Sequence, residues 1–466
     1  MRILPPDGTP FEIGFPVVVI GGGAAGMVAA LAARENGADV LVIERDALPR
    51  GSTSLSAGLI PAPGTQWQHA IGEVDSPAQF AADIMHKAHD TPDPALVQLV
   101  TSEIGPALEW LHTAHGLQFS LIADFRYPGH SALRMHGLPT RSGLELVDAL
   151  CRAAEVAGVE LLCKARAVSL IADAEHIHGL VIERPDGSCE RIGCHALILA
   201  CNGYGGNRTL VSRYIPAMGD ALYFGHPGNQ GDALLWGEAL GAASRDLSGH
   251  QGHGSVAHPA GILITWATIT EGGMQVNMRG NRFSDESTGY SEQGARVLAE
   301  PGGMVWSVYD TRIAAIARQF EDYRQAEAVG IVLQENDVPA LARRMGVPVA
   351  ALQASLDEIE ACKRGEQPDP FGRDFTGVPP LTPPYCAIRV TGALFHTQGG
   401  LEIDQQARVR RQAGGVFANL YATGGAACGV SGAEASGYLS GNGLLTAVAL
   451  GRVAGRAASY CKDTQR

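Results

Sequence analysis

Several features that mark other classes of protein are missing from this chain of 466 residues. No apolar run approaches the roughly 18 residues that a membrane-spanning helix needs. Residues 1–10 hold prolines and an aspartate in place of the apolar segment of a signal peptide, so we expect a cytoplasmic protein. The 35 Lys and Arg are outnumbered by 48 Asp and Glu, and no basic cluster interrupts the formal charge of -13, which argues against a nucleic acid partner.

The 9 cysteines are scattered and form neither a C-x-x-C pair nor the C-x-x-C-H sequence that attaches haem. In a long chain with this pattern, thiols most often serve as small buried apolar side chains. The sequence therefore predicts no zinc, haem or iron–sulfur centre of its own.

Glycine is abundant, and three of the 59 glycines follow a β-branched stretch at residues 17–20 with G-x-G-x-x-G spacing. In that pattern Gly21 makes the turn, Gly23 lets the backbone approach a pyrophosphate, and Gly26 lets a helix pack against the strand. The start of that helix offers N–H groups and the positive end of its dipole to the phosphates. Glu44 ends the next strand, where a carboxylate can accept hydrogen bonds from a ribose.

In so glycine-rich a chain, this glycine spacing is expected about once by chance. The prediction of a dinucleotide site therefore depends on the flanking strand and helix and on Glu44. A second glycine turn, at residues 200–207, ends another predicted strand and gives the second backbone approach to a cofactor. Small and hydroxyl residues at 52–58 could also lie close to a ligand, although a plain surface loop has the same composition. The glycine motif at residues 21–26 alone fits NAD and FAD equally well.

The spacing of apolar residues predicts the helices between these turns. It predicts one long helix over residues 76–115, a second over 141–158 and a last one over 444–458. The chain changes character between residues 248 and 391, which we interpret as an inserted domain. The expected division is a dinucleotide-binding domain made of residues 1–247 and 392–466, with a substrate-capping domain at 248–391.

Six segments, in this order, resemble the FAD-binding flavoproteins that include soluble fumarate reductases, succinate dehydrogenase flavoprotein subunits and 3-ketosteroid Δ1-dehydrogenases. They are residues 21–26 with Glu44, 52–58, 200–207, 277–286, 396–400 and 437–451. The resemblance spans nearly the whole chain. It implies FAD and an α/β fold, a Rossmann-like FAD-binding domain of the glutathione-reductase type with an inserted α+β cap.

Membrane-bound members of the family attach FAD through a histidine in the loop that corresponds to residues 52–58. No histidine stands there in this chain, so the resemblance implies non-covalent FAD. The cofactor-binding residues that it implies are Gly21, Gly23, Ala24, Ala25, Gly26, Glu44, Arg45, Ser52, Thr53, Ser54, Ser56, Ala57, Gly58, Ala167, Ala200, Asn202, Gly203, Asn207, Gly231, Asp232, His396, Gly424, Gly441, Asn442 and Leu444.

Two branches of the family differ in the residues that meet the substrate. The fumarate-reducing branch is similar to this chain at His253 and His396, which match its substrate-binding histidines. That branch also uses an arginine proton donor shortly after its R-F-x-N-E motif and an arginine carboxylate clamp, whose places are held here by Tyr290 and Ala435. Neither a phenol nor a methyl group replaces a bidentate guanidinium, so fumarate reduction is not expected.

The 3-ketosteroid Δ1-dehydrogenase branch is the closer resemblance. It carries a tyrosine at the place of Tyr290, and that tyrosine is its catalytic base. It binds the substrate ketone through a tyrosine and a glycine N–H spaced Y-x-x-x-G. In this chain Gly432 keeps the glycine, while Cys428 replaces the tyrosine.

These residues could oxidise a CH–CH bond beside a ketone, with the flavin accepting the hydride. A free phenol ionises near pH 10, so Tyr290 as the base needs a helix N-terminus or a second phenol, such as Tyr127, to favour the phenolate. The N–H of Gly432 is the expected oxyanion-type donor, and His253 and His396 could bind the polar end of the substrate. Packing, backbone geometry and satisfied core imidazoles are the structural alternatives for these residues.

The sequence thus favours an FAD-dependent desaturase of a small cyclic ketone, such as 4-oxocyclohexanecarboxylate, or of a 3-ketosteroid-like compound. A fumarate- or enoate-type reductase acting on an activated C=C bond is the alternative, and a non-catalytic FAD-binding sensor is the third interpretation. The expected electron acceptor is oxygen, a quinone or a redox protein, because the cysteine spacing provides no redox centre of the chain's own.

Overall fold

The protein is described by a computed structural model that covers residues 2–461 and divides into two compact units. The first unit contains the chain up to Leu210, Gly225–His250 and the chain from His396 onward. The second contains Val211–Phe224 and Gln251–Phe395. The two ends of the chain thus belong to one unit. Across residues 2–461, no helix is both long and apolar enough to cross a membrane.

The centre of the first unit is a sheet of 9 strands within the described residues. Ile13–Ile20 lies between Val40–Ile43 and Cys189–Leu199 and runs parallel to both. Cys189–Leu199 also pairs in parallel with Val416–Ala422. Because the last residues of these four strands are in register, the segments that follow them leave the same edge of the sheet. The remaining strands are Arg2–Leu4, Glu160–Leu162, Arg166–Ala172, Ile177–Glu183 and Arg408–Arg410.

Two smaller sheets also belong to the first unit. One pairs Ser244–Arg245 with Gly400–Leu401, and the other contains Ile60–Pro61, Ser120–Leu121 and Met135–Gly137. The α-helices of this unit are Ala24–Glu35, Gln66–Ala70, Pro77–Lys87, Pro94–His115, Gly143–Val156, Asp232–Leu240 and Asn442–Ser459, and Arg208–Tyr214 runs from its residues into those of the second unit.

The helices expected over 141–158 and 444–458 are confirmed, with ends that differ by a few residues. The single helix expected over 76–115 is wrong, because the structure has two helices there. His89 and Asp90, between them, have φ of 52° and 58°, which a right-handed helix does not contain. Asp93 then caps the second helix by accepting a hydrogen bond from the backbone N–H of Ala95.

The final helix of the first unit, Asn442–Ser459, packs directly against its first helix, Ala24–Glu35. A Cβ added to Gly451 would lie 2.7 Å from the carbonyl oxygen of Ala25, and one added to Gly455 would lie 2.1 Å from that of Ala29. The two backbones can approach this closely only because both positions are glycine. The last helix is therefore held against the helix that follows the glycine turn.

Replacing Gly455 with alanine should destabilise the protein, although alanine normally favours a helix interior by about 1 kcal/mol. The added methyl group has no room beside Ala29, and overpacking of this kind typically costs about 1–3 kcal/mol. The expected result is a lower midpoint of thermal unfolding. Gly14→Ala is the matched control, because its nearest neighbour would be 3.9 Å away. Equal midpoints for the two variants would contradict this packing.

The second unit is built on a sheet of 7 mostly antiparallel strands among the residues described. Its long strand, Tyr385–Thr397, pairs with Met304–Asp310 and Leu333–Glu335, and the candidate residue His396 is the last but one residue of this strand. The other strands are Leu222–Tyr223, His250–Ala257, Ile262–Leu263 and Met274–Asn277. The α-helices are Ala267–Thr270, Tyr290–Ala299, Thr311–Ala317, Glu321–Ala328, Val338–Met345 and Val349–Lys363.

Candidate active site

The glycine turn after Ile13–Ile20 leaves no room for side chains. Gly21 has φ of 108°, and a Cβ there would lie 2.5 Å from the carbonyl oxygen of Ala200. A Cβ on Gly26 would lie 1.9 Å from the carbonyl oxygen of Gly21. The helix Ala24–Glu35 follows at once, so its first turn stands at the edge of the sheet as a phosphate site requires.

Glu44 is only 6% exposed, and its carboxylate is tied to the glycine turn. Oε2 accepts a hydrogen bond of 2.9 Å from the N–H of Gly22, and Oε1 accepts one of 2.9 Å from the N–H of Asp46. A carboxylate has about four lone-pair sites, so two accepted bonds leave acceptors for ribose hydroxyls. The sequence prediction for Glu44 thus gains a second role, which is to hold the turn.

The loop at residues 52–58 is a short 3-10 helix, Gly51–Leu55, followed by a turn. Thr53 Oγ1 accepts from the N–H of Ala24 at 3.0 Å, which caps the first helix, because the residue before it, Gly23, has no side chain. The hydroxyls of Ser54 and Ser56 donate to carbonyls within the loop. The hydroxyl-rich composition therefore builds the loop and braces the helix start.

A turn at residues 226–229 joins the loop and the second strand of the nucleotide motif. Ser52 Oγ accepts from the backbone N–H of His226 and from Nδ2 of Asn229, at 3.1 and 2.8 Å. Arg45 Nη1 donates to the carbonyl oxygen of Gly228 at 2.7 Å. Sequence reasoning did not connect this turn with Arg45 and Ser52, since no local spacing links residues so far apart.

The second glycine turn is held by its own polar side chains. Asn202 has φ of 63°, and its Oδ1 accepts from the N–H of Gly203 at 2.8 Å. Asn207 donates to the carbonyl oxygen of Gln230 at 3.0 Å and accepts from the N–H of Leu210 at 3.2 Å. Positive φ values also occur at five of the predicted cofactor glycines, which are Gly21, Gly58, Gly231, Gly424 and Gly441.

Two buried oxygens near these turns have no hydrogen-bond partner within residues 2–461. They are Oδ1 of Asp232, in the first turn of its helix, and Oδ1 of Asn442, at the start of the final helix. Burial raises the pKa of Asp232. Buried polar atoms normally have partners, so orphaned acceptors beside a glycine cradle fit a ligand rich in N–H and O–H groups. A dinucleotide such as FAD meets this requirement.

The candidate base Tyr290 is the first residue of the helix Tyr290–Ala299. It is positioned by a buried ion-pair cluster in the preceding segment. Glu286 pairs with Arg282 at 3.0 Å and with Arg373 at 3.1 Å, and it accepts from the N–H of Gln275 at 3.0 Å. The segment then turns through Glu286–Thr288 into the helix, whose N-terminus favours negative charge.

Tyr290 belongs to an aromatic cluster of the second unit that is centred on His253. The ring of His253 stacks on that of Tyr290 with centroids 5.0 Å apart and planes 21° apart. Trp266 meets the His253 ring edge-on at 5.7 Å, and Phe395 lies 5.5 Å from it. Phe395 also stacks on Phe224 at 5.0 Å. The structure thus brings together two of the predicted catalytic residues, His253 and Tyr290.

His253 is 6% exposed, and burial lowers its pKa to about 3. The imidazole is therefore neutral near pH 7. Its Nδ1 lies 3.1 Å from the backbone N–H of Ser255, which can only donate. Nδ1 must then be the unprotonated nitrogen, and Nε2 carries the proton. His253 can act as a hydrogen-bond donor to a carbonyl or carboxylate oxygen.

His396 belongs to the first unit. Its ring meets that of Tyr438 edge-on at 5.5 Å, and burial lowers its pKa to about 4. The Nε2 of Gln398 lies 2.7 Å from the Nδ1 of His396. Sequence reasoning missed this contact, although residues 396–400 are one of the segments that carry the family resemblance. Thr397 was missed as well: a Cβ on Gly203 would lie 2.0 Å from its Oγ1.

The remaining candidates in the first unit have clear structural roles as well. Gly432 has φ of 67°, and a Cβ there would lie 2.2 Å from Thr91 Oγ1, so the position requires glycine. Cys428 is buried, with its Sγ 3.6 Å from Oδ2 of Asp246. Burial raises the pKa of this thiol. Tyr127 packs edge-on against Phe125 at 4.9 Å, and burial raises its pKa also.

A family model described as the FAD binding domain matches residues 16–444, which is most of the chain. The chain belongs to this family. The flavoprotein is 29% identical over 453 residues to the probable fumarate reductase Ifc3 of Shewanella frigidimarina, an alignment that covers 96% of this chain and 75% of the relative.

Two solved structures extend the comparison. The open conformation of a flavocytochrome c3 fumarate reductase has a TM-score of 0.83 and 28% identity and covers 96% of this flavoprotein and 78% of that chain. The 3-ketosteroid-Δ4-(5α)-dehydrogenase of Rhodococcus jostii RHA1 has a TM-score of 0.80, covers 98% of this chain and 100% of that one, and at 23% identity shows the fold alone.

These findings place the flavoprotein in the superfamily of FAD-dependent fumarate reductases and succinate dehydrogenase flavoproteins. The predictions of an α/β FAD-binding fold, of FAD as cofactor and of an oxidoreductase acting on CH–CH groups are confirmed. The roles of the individual site residues remain predictions.

Glu44→Ala should weaken FAD binding, because it removes the predicted ribose acceptor and leaves the N–H of Gly22 without its partner Oε2. Hydrogen bonds to a charged group contribute about 1.5–3 kcal/mol, so the dissociation constant of FAD should rise about ten- to a hundredfold. Titrating the apoprotein with FAD measures this. Glu160→Ala, at an exposed glutamate on the adjacent strand Glu160–Leu162, is the control. An unchanged constant for Glu44→Ala would exclude the ribose role.

His253 should stay neutral from pH 8 to pH 5. Folding lowers its pKa from about 6.5 to about 3, so the unfolded chain binds more protons in that range and this residue's contribution to stability falls as the pH falls below about 6.5. ¹⁵N spectra of histidine-labelled protein, with the residue assigned through His253→Gln, report its protonation. A titration midpoint above pH 6 would contradict the buried, neutral imidazole.

Proposed function

We propose that this flavoprotein desaturates a ketone between its α and β carbons, with Tyr290 as the base and a small cyclic ketone as the substrate. The observation that carries the proposal is the stacking of Tyr290 on the neutral His253 within a cluster of Trp266, Phe395 and Phe224. Aromatic faces favour a largely apolar ring over a small dianion.

The reaction needs an acceptor for a proton and one for a hydride. Bound FAD supplies the hydride acceptor. In the proposed reaction the phenolate of Tyr290 takes the proton on the α carbon, the hydride leaves the β carbon, and the electron pair of the broken α C–H bond becomes the new C=C bond. The substrate loses two electrons, which an external acceptor such as oxygen, a quinone or a redox protein finally receives.

The position of Tyr290 supports the phenolate that this step requires. The residue opens a helix of 10 residues with no side-chain cap, and the positive end of such a helix stabilises a nearby anion. The same segment is fixed by the buried Glu286 pairs. A base held on a rigid element loses little to reorientation during proton transfer.

Polarisation of the ketone is assigned in this proposal to N–H donors. The N–H of Gly432 is one candidate, and the Nε2–H of a neutral His253 or His396 is another. Neutral imidazoles bind a carbonyl oxygen without placing a buried charge beside the apolar ring of the substrate. Cys428 is an unsuitable replacement for a ketone-binding tyrosine, since its thiol is a weak donor and faces Asp246.

A reductase of an activated C=C bond is the second candidate. It is favoured by the relatives, because both the protein from Shewanella frigidimarina and the flavocytochrome c3 structure bear the name fumarate reductase. In that direction Tyr290 would donate the proton in place of arginine. Tyrosine and Ala435 offer no guanidinium to a dicarboxylate, so the acceptor would be an enone or enoate rather than fumarate.

Tyr290→Phe tests the base. Loss of the phenol should lower the rate of ketone-dependent flavin bleaching at least about a hundredfold, which is the usual contribution of a general base. The FAD spectrum and the unfolding midpoint should remain those of the wild type. Tyr385→Phe, a half-buried tyrosine on a strand of the same unit, is the control. Turnover by Tyr290→Phe at the wild-type rate would remove Tyr290 from the mechanism.

The direction of the reaction can be read from the flavin itself. Anaerobic oxidised enzyme is mixed with cyclohexanones or 3-ketosteroids, and photoreduced enzyme is mixed with fumarate, enoates or enones. Bleaching by a saturated ketone, without rapid reoxidation by fumarate, is the expected result. Rapid reoxidation by an enoate, an enone or fumarate, with no ketone bleaching, would replace the proposal with the reductase.

A further inference from the structure

Three buried polar side chains form a chain of hydrogen bonds that ends on His396. Asn442, Ser431 and Gln398 are 0%, 1% and 5% exposed. Asn442 Nδ2 lies 3.0 Å from Ser431 Oγ, which lies 2.8 Å from Gln398 Oε1. Gln398 Nε2 lies 2.7 Å from Nδ1 of His396. All four residues belong to the first unit. The spacing of Gln398, Ser431 and Asn442 in the sequence did not predict that they form a hydrogen-bonded chain to His396.

The protons in this chain can be placed one by one. The amide oxygen of Gln398 only accepts, so the single hydroxyl proton of Ser431 must point to it. The free lone pair of Ser431 then accepts from Asn442. The amide nitrogen of Gln398 only donates, so in this direction Nδ1 of His396 is unprotonated and accepts the 2.7 Å hydrogen bond, while the competing carbonyl oxygen of Thr397 lies farther from Nδ1, at 3.4 Å. Because the imidazole is neutral near pH 7, its one proton lies on Nε2.

The mirror arrangement would turn both amides over and protonate Nδ1 of His396. It would also put the NH₂ of Asn442 where the structure has an orphaned oxygen, at the first residue of the helix Asn442–Ser459. That exchange would place an NH₂ group, which only donates, beside the first turn of a helix, whose unpaired backbone groups are themselves N–H donors. The positive end of a helix also favours an oxygen over an NH₂ group. The observed direction is therefore the more stable one.

We propose that Gln398, held by Ser431 and Asn442, is a positioning residue that keeps the proton of His396 on Nε2 and makes this imidazole a hydrogen-bond donor to a substrate oxygen. The part that concerns the substrate rests on the proposed function. The part that concerns the proton does not. His253 reaches the same state through the backbone N–H of Ser255, whereas in His396 the state depends on side chains that mutation can change.

The donor nitrogen of His396 lies above the start of the final helix. A Cβ on Gly443 would be 2.9 Å from its Cε1 and 3.1 Å from its Nε2. The ring is thus confined between this glycine, Tyr438 and Gln398. Because the ring of His396 is already held in place, the remaining variable is which of its two nitrogens carries the proton. Gln398 determines that choice.

The direct test is a long-range ¹H–¹⁵N correlation spectrum of the FAD-loaded, histidine-labelled protein at pH 7, without substrate. His396→Gln identifies the signals of His396. We expect a protonated Nε2 and an unprotonated Nδ1. A proton on Nδ1 in the wild-type protein would overturn the proposal, and this reading requires no ketone and no folded variant of Gln398.

Gln398→Glu tests whether residue 398 determines the tautomer of His396. A carboxylate can only accept a hydrogen bond, so it should draw the imidazole proton to Nδ1. Gln406→Glu, the same change at an exposed site, is the control and should leave the spectrum of His396 unaltered. Ser431→Ala should give a mixture of the two tautomers, since Gln398 is then free to turn over. A spectrum of His396 that is identical in wild type, Gln398→Glu and Ser431→Ala would overturn the assignment of Gln398.

The kinetic readout separates this inference from the proposed function. For the ketone that bleaches the flavin, Gln398→Glu should raise KM about tenfold with FAD affinity unchanged. A shifted tautomer with an unchanged KM would refute the donor role of His396. Failure of every ketone in the wild type would count against the desaturase alone, and the spectra would still decide the tautomer.

Discussion

The parallel register of four strands is the constraint on which the first unit depends. Ile20, Ile43, Leu199 and Ala422 end their strands side by side. The residues that follow them must then share a very small space, and a Cβ on Gly21 would lie 2.5 Å from the carbonyl of Ala200. A slip of one residue in any of these strands would exchange the side chains on its two buried faces and break this contact.

Local patterns were sufficient to predict this part of the fold. The β-branched run, the glycine spacing and Glu44 are each encoded within a few residues, and the structure joins them in the expected order. The break between Pro77–Lys87 and Pro94–His115 was not predicted, although the apolar spacing is interrupted at residues 86–94, which contain two prolines, and His89 and Asp90 leave the helical region there. Apolar periodicity indicates which face of a helix is buried. It does not report the φ of the residues that separate two helices.

The candidate site was predicted unevenly for a related reason. Tyr290 and His253 were found through family resemblance, and their stacking follows from a sheet and a helix that only the folded chain brings together. Gln398 lies in the segment 396–400, which carries part of the family resemblance, and its role was still not predicted. Its partners Ser431 and Asn442 are distant in sequence, and polar residues in glycine-rich turns have no period that could relate them.

The packing of the last helix on the first has a consequence for how the protein is made. The ribosome delivers the glycine turn long before Val416–Ala422 and Asn442–Ser459, which complete its sheet and cover its first helix. Until then the faces of Ala24–Glu35 that will meet Gly451 and Gly455 have no partner from their own chain. Assembly of the cofactor cradle therefore waits for these two segments, and free FAD meets a complete site only after they have emerged.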